Sequence, residues 1–145
     1  MNTQTYIDFK ERQQQEVNNF PIAYAFNDEQ LQRALEKLGV ESTRECVTVF
    51  GHGDIVKKED APKLVAMLRR HTKEMQEALL DETFAEAAFL YEMDNHEYAI
   101  NWDGDDDVLN CFGLDFEKLK EMNLIGAYNR ARKSHYKHAE EWEMI

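Results

Sequence analysis

The sequence predicts a mostly helical α+β domain: about five to six helices around a small two- to three-stranded sheet. Three observations carry this. Several stretches repeat apolar residues at helical spacing and are bounded by recognisable caps. Two short β-branched segments flank one of those capped helices. The chain has 145 residues with 43% hydrophobic and 11% aromatic content, enough to build a core. No linker, repeat or low-complexity run interrupts it, so one globular domain over residues 1–145 is expected.

Taken in order, residues 5–18 read as a helix with Tyr6, Phe9, Gln13 and Val17 near one face. Phe20-Pro21 ends it, because the proline ring disfavours helical geometry in the preceding residue. Pro21–Phe26 reads as a short strand. Asn27 caps the next helix, and Gln30 completes a capping box. Leu31, Leu35 and Leu38 form its inner stripe, and Gly39 stops it. Cys46–Phe50 is a second strand. Gly51-His52-Gly53-Asp54 is a turn with positive φ at one or both glycines, followed by a short strand at Ile55-Val56. Strand, helix, strand in this order predicts a crossover helix. Pro62 in its first turn opens a long helix, with Leu64, Leu68, His71, Met75 and Leu79 on one face. Residues 84–93 are apolar nearly all round, so they are buried, as helix or central strand. Asn95–Tyr98 breaks that segment. Asp105 is placed to cap a short helix to Phe112, stopped by Gly113. Asp115–Met122 forms another. Residues 124–142 form the last, with Tyr128, His135, His138 and Trp142 on one face.

The net charge of −12 is concentrated in one segment. Residues 74–117 carry 14 acids and no Lys or Arg, while residues 1–73 balance 11 acids with 11 bases. The densest part is Glu92, Asp94, Glu97, Asp103, Asp105, Asp106 and Asp107. Such a field repels a nucleic-acid backbone, so direct DNA or RNA binding is not expected. Its complement is a basic protein surface, and these seven acids are the candidate partner-binding residues. Solubility alone also explains an acidic surface. Mean hydropathy of −0.70 and the absence of a long apolar run exclude a transmembrane helix. No charged-then-apolar leader opens the sequence, and two cysteines are too few for a disulfide scaffold. A cytoplasmic, reduced protein is expected.

Candidate chemistry is sparse. Asp103-Gly104-Asp105-Asp106-Asp107 has the acids of a calcium loop at positions one, three and five. Val108 stands where the loop needs Gly, and Leu114 where it needs Glu, so it is not an EF-hand. Asp105 as a cap, with Asp106 and Asp107 in the first turn, accounts for the cluster without a metal. His135 and His138, three apart, either share a metal or sit as boundary histidines on an apolar stripe, and the stripe favours the second. His96-Glu97 lacks the second histidine of a zinc protease, because position 100 is Ile100. If the segment is helix and runs that far, Glu92 and His96 share a face and make a two-ligand start for a zinc-type site; the alternative is that His96 and Glu97 close the helix end. His52, Cys46 or Cys111 would have to supply the third ligand. Phe50-Gly51-His52-Gly53 has neither P-loop nor dinucleotide spacing. Both cysteines read as core thiols. No catalytic residue is assigned, although triads assemble in space and spacing leaves that class open.

The order of features resembles a family of small uncharacterised acidic proteins of gut bacteria, their phages and mobile elements. The matching pieces are Phe20-Pro21-Ile22, Ala25–Gln30, Leu38-Gly39, and the Gly51/Gly53 turn with Ile55 and Lys57. Asn95-His96-Glu97-Tyr98 is the most distinctive, with the acidic stretch and Leu109…Gly113-Leu114 behind it. His52 departs from a turn richer in glycine. The family brings no activity with it. The resemblance implies a phage or mobile-element accessory protein. With the charge, it raises an anti-CRISPR-type inhibitor that occupies the nucleic-acid-binding surface of a CRISPR effector nuclease. The alternative is a zinc-type metal-binding domain built around His96, structural or enzymatic.

Overall fold

The computed structural model describes residues 3–145. Among them are seven α-helices and a three-stranded antiparallel sheet, a mostly helical α+β fold. The chain forms two compact units. One is Glu11–His71. The other takes the chain up to Lys10 together with Thr72–Ile145. No described helix is long and apolar enough to cross a membrane.

The Glu11–His71 unit holds the sheet. Helix α1 (Gln4–Asn19) enters it, followed by β1 (Ala23–Tyr24), α2 (Asp28–Leu38), β2 (Cys46–Val47), β3 (Asp54–Lys57) and the start of α3 (Ala61–Ala78). Strand β3 lies between β1 and β2 and pairs antiparallel with both. The two edge strands therefore run parallel, and α2 is the crossover between them. Alternation along β3 sends its side chains to opposite faces. Val56 packs with Ile22 and Leu64, and Ile55 packs against the Ala23, Ala34 and Leu38 cluster. The cap residues of α2 are those the sequence predicts, although the Gln30 side chain accepts from the Phe26 amide and not from that of Asn27. Asn27 Oδ1 accepts from the Gln30 amide at 2.8 Å, and Gly39 ends the helix in the left-handed region at φ 71°.

Strands β1 and β2 are shorter than the residue types predict and β3 is longer, and for β2 Asp54 gives the reason. Its carboxylate accepts from the amides of Val49, Phe50 and His52 and from the Thr48 hydroxyl. Those donors serve a turn instead of a ladder, so β2 stops at Val47. Gly51 and Gly53 both take positive φ within that turn, at 80° and 81°. Burial of Asp54 pushes its carboxyl up, but the four hydrogen bonds outweigh it and hold the group well below the usual range. A depressed folded pKa contributes stability above the unfolded value of ~3.9 and loses it as pH falls through the folded one. Asp54→Asn should therefore cost about 2 kcal/mol at neutral pH. The gap to wild type should narrow below pH ~4 in urea titrations run across pH. A gap constant with pH would remove the ionised carboxylate from this role.

The second unit is helical. The end of α3 is followed by α4 (Glu82–Asn95), α5 (Gly104–Asn110), α6 (Phe116–Glu121) and α7 (Ile125–Glu141). Residues 84–93, left open between helix and strand, are helix. Asp81 caps them by accepting from the amides of Thr83 and Phe84. Ala85, Ala88, Phe89, Leu90 and Met93 are all buried, because α4 is covered on every side. Phe89 meets Phe112 and Tyr128 edge-on at 5.2 and 5.3 Å between ring centroids. Tyr6, from the first turns of α1, is buried in the same core.

Candidate metal centre

Glu92 and His96 are four residues apart, which places them one above the other on the last turn of α4. His96 is the C-cap of that helix. Glu97 follows at φ 52°, and a short 3-10 turn over Tyr98–Ile100 reverses the chain. Asn101 ties the return together, its amide nitrogen donating to the His96 carbonyl at 3.0 Å and to Asp107 at 2.9 Å. Helix α5 then runs seven residues and ends with Cys111 at its cap. The result sets Cys111 Sγ 3.4 Å from His96 Nε2, and His96 Nε2 3.9 Å from Glu92 Oε1. The three donor atoms lie within 4.8 Å of one another, as no other such group does among the described residues.

The inner wall of this cluster comes from α1. Tyr6 donates its hydroxyl hydrogen to Glu92 Oε2 in a short hydrogen bond, and Lys10 Nζ lies 2.7 Å from the same oxygen. Glu92 is fully buried, and its other oxygen, Oε1, has no hydrogen-bond partner. A buried carboxylate oxygen left unpaired is costly, so its orientation toward His96 and Cys111 calls for an explanation. Burial, and then the hydrogen bond to Glu92, pushes the Tyr6 hydroxyl far above its usual range. Partial desolvation of its sulfur, and then the charge of Glu92, pushes the Cys111 thiol up to about 11 although the residue as a whole is exposed. The thiol donates to the Asp107 carbonyl at 3.2 Å.

Two chemistries use Cys, His and a carboxylate. In a nucleophilic relay the acid holds one ring nitrogen and the thiol faces the other. In this site Glu92 and Cys111 both face Nε2, and desolvation with the charge of Glu92 outweighs the lowering pull of Lys10 on the thiol. A metal site instead needs donors that converge on one point. Zinc at ~2.0 Å from N and O and ~2.3 Å from S sets ligand–ligand edges of about 3.3–3.6 Å. The observed sulfur–nitrogen distance of 3.4 Å matches its edge, and the nitrogen–oxygen distance of 3.9 Å is longer than its edge of about 3.3 Å. Tyr6 and Lys10 hold the other carboxylate oxygen, Oε2, as second partners do for metal-bound carboxylates.

The acids singled out by charge are placed differently from one another. Glu97, Asp103 and Asp106 are exposed. Glu92 is buried, so it presents nothing to a protein partner and belongs to the cluster above. Asp94 is bonded by both histidines of α7, at 2.7 Å from His135 Nδ1 and 2.8 Å from His138 Nδ1. Asp105 does not cap α5. Asp103 takes the cap position, and Asp105 accepts from the Tyr98 and Tyr128 hydroxyls at 2.7 and 2.6 Å. Those two phenols reach it from outside the helix and engage the carboxylate that a cap would have used. Burial, and then that hydrogen bond, pushes Tyr98 up to about 12. Asp107 accepts from Asn101.

Of the residues considered as a third ligand, Cys111 is the one beside His96; Cys46 and His52 belong to the Glu11–His71 unit. Cys111 is also exposed, not a core thiol, because α5 ends before it and leaves it at the helix cap. Sequence reasoning missed Tyr6 and Lys10. Their one signal is a lysine four residues after a buried tyrosine, beside the apolar stripe of α1.

No curated protein and no solved structure matches the chain. A family model matches residues 5–134, which takes in both units and all three donors of the cluster, and the chain therefore belongs to the family of unknown function DUF7659.

Proposed function

We propose that this protein is a metal-binding domain whose centre is Glu92, His96 and Cys111, with zinc as its ion. One observation carries the reading. A thiol, an imidazole nitrogen and an otherwise unpartnered buried carboxylate oxygen converge within 4.8 Å. A mixed sulfur, nitrogen and oxygen donor set suits zinc better than calcium or magnesium, which take oxygen ligands. Binding would release the Cys111 proton and give Glu92 Oε1 a partner. The inhibitor reading keeps only Glu97, Asp103 and Asp106 as exposed carboxylates of its seven, so the metal reading has the stronger support.

Zinc titration into chelator-treated protein tests it. One equivalent should bind, and zinc at a hundredfold excess over Kd should stabilise the fold by about 2.7 kcal/mol in thermal denaturation. Cys111→Ser and His96→Ala should each lose most of that shift while folding normally without metal. Equal shifts in wild type and both variants, or none in any, would overturn the proposal.

A further inference from the structure

We infer that Asp107 is the fourth ligand of this centre and closes it, which makes the ion structural. The inference rests on the metal reading above. Zinc in a structural site takes four protein ligands, and the cluster supplies three. Its donors come from two helices. Glu92 and His96, four residues apart, are the pair from α4. Cys111 caps α5 with helical dihedral angles, so Asp107, four residues before it, shares its face of that helix. Cys111 Sγ leans back over the same turn and donates to the Asp107 carbonyl at 3.2 Å. The second helix therefore offers a pair of donors, as the first does.

The two carboxylates are also held alike. Glu92 Oε2 is committed to Tyr6 and Lys10, and Asp107 Oδ2 accepts from Asn101 at 2.9 Å. The other oxygen of each, Glu92 Oε1 and Asp107 Oδ1, has no hydrogen bond among the described residues. Outer hydrogen bonds of this kind orient metal-bound carboxylates. Asn101 also donates to the His96 carbonyl at 3.0 Å, so one side chain positions a residue of each helix. Asp107 stands outside the 4.8 Å group, and its half-buried side chain must turn to bring Oδ1 in. Charge supplies the drive for that turn. Desolvation apart, the groups acting on the Cys111 thiol are Glu92 and Asp107, which push it up, and Lys10, which pulls it down. The thiolate, the two carboxylates, the ammonium and a doubly charged ion sum to zero, with His96 binding as the neutral imidazole. A further anion would leave the centre negative.

Cobalt(II) in place of zinc reads both levels in the full-length protein. A sulfur-to-cobalt charge-transfer band in the near ultraviolet, absent in Cys111→Ser, reports the metal centre. Azide titrated into the wild-type protein should leave the visible cobalt bands unchanged. Asp107→Asn keeps an acceptor for Asn101 and removes the charged ligand. It should bind cobalt at least about tenfold more weakly, and azide should then shift its bands saturably. Failure of the charge-transfer band to form in wild type would overturn the metal reading itself. A band that forms in wild type and shifts with azide would leave the metal centre standing and overturn its closure by Asp107. Equal cobalt affinity in wild type and Asp107→Asn would overturn it as well. Weaker cobalt binding with no azide response in the variant would make Asp107 a neighbouring charge and not a ligand. Circular dichroism of the metal-free variant establishes that it is folded, and the wild-type azide titration stands without it.

Discussion

Glu92→Ala is expected to cost about 3 kcal/mol of folding stability in metal-free protein. The side chain is fully buried, and two residues of α1 converge on it. Truncation leaves the Tyr6 hydroxyl buried without an acceptor, which accounts for about 1–3 kcal/mol. It also leaves a cavity where the carboxylate stem packed. Loss of the Lys10 contact adds little, because an ammonium nearly half exposed finds water instead. Glu92→Gln keeps an acceptor for Tyr6 and should cost only about 1 kcal/mol. The double variant Tyr6→Phe with Glu92→Leu should be more stable than the two single changes predict, since it removes both polar partners together. Urea unfolding in the presence of chelator measures all five. At this chain length the alanine variant should melt about 10 °C lower. A Glu92→Ala cost under about 0.5 kcal/mol would mean that the contacts with Tyr6 and Lys10 contribute nothing to folding.

His135→Ala should be of similar size, about 3–4 kcal/mol. His135 is fully buried, and both ring nitrogens are committed. Nε2 accepts from the Ala99 amide at 2.9 Å. Nδ1 must then carry the hydrogen, and it donates to Asp94 Oδ1 at 2.7 Å. The ring also packs edge-on against Tyr98 at 5.7 Å. One side chain therefore ties α7 to the end of α4 and to the turn that follows it. Alanine orphans the Ala99 amide, removes one of the two histidines on Asp94 and opens a cavity. Asparagine can still donate to Asp94 but does not reach Ala99, so His135→Asn should fall between alanine and wild type. His138→Ala should cost less than about 1 kcal/mol, because that residue is partly exposed. If His135→Ala and His138→Ala cost the same, the Ala99 bond has no weight. Because the Tyr98–Ile100 turn leads toward α5 and Cys111, His135→Ala should also weaken zinc binding without touching a ligand.

The histidine pair on α7 illustrates how far one-dimensional spacing goes. Three-residue spacing on an apolar stripe placed both on the same side of the helix, and both do reach one group. That group is Asp94, which comes from 41 and 44 residues earlier in the chain. Charge counting is one-dimensional in the same way. It grouped seven carboxylates by their neighbours in sequence, whereas each carboxylate faces whatever its helix turns it toward. Asp105 and Asp106 are adjacent, yet one is half-buried under two tyrosines and the other is exposed.

By itself the sequence determined every helix but α4, the cap residues of α2, the glycine turn and the crossover between edge strands. It also spaced Glu92 and His96 so that they share a face once α4 is a helix. Each of these depends on interactions between residues a few positions apart, which local propensity and periodicity encode directly. Tertiary structure alone decided that Cys111 completes the triad, and that Tyr6 and Lys10, 86 and 82 residues from Glu92, close its inner side. It likewise decided that Asp54 ends β2 by drawing off amide donors. Those outcomes depend on the angles at which separate elements pack, and burial then selects which polar atoms must find each other.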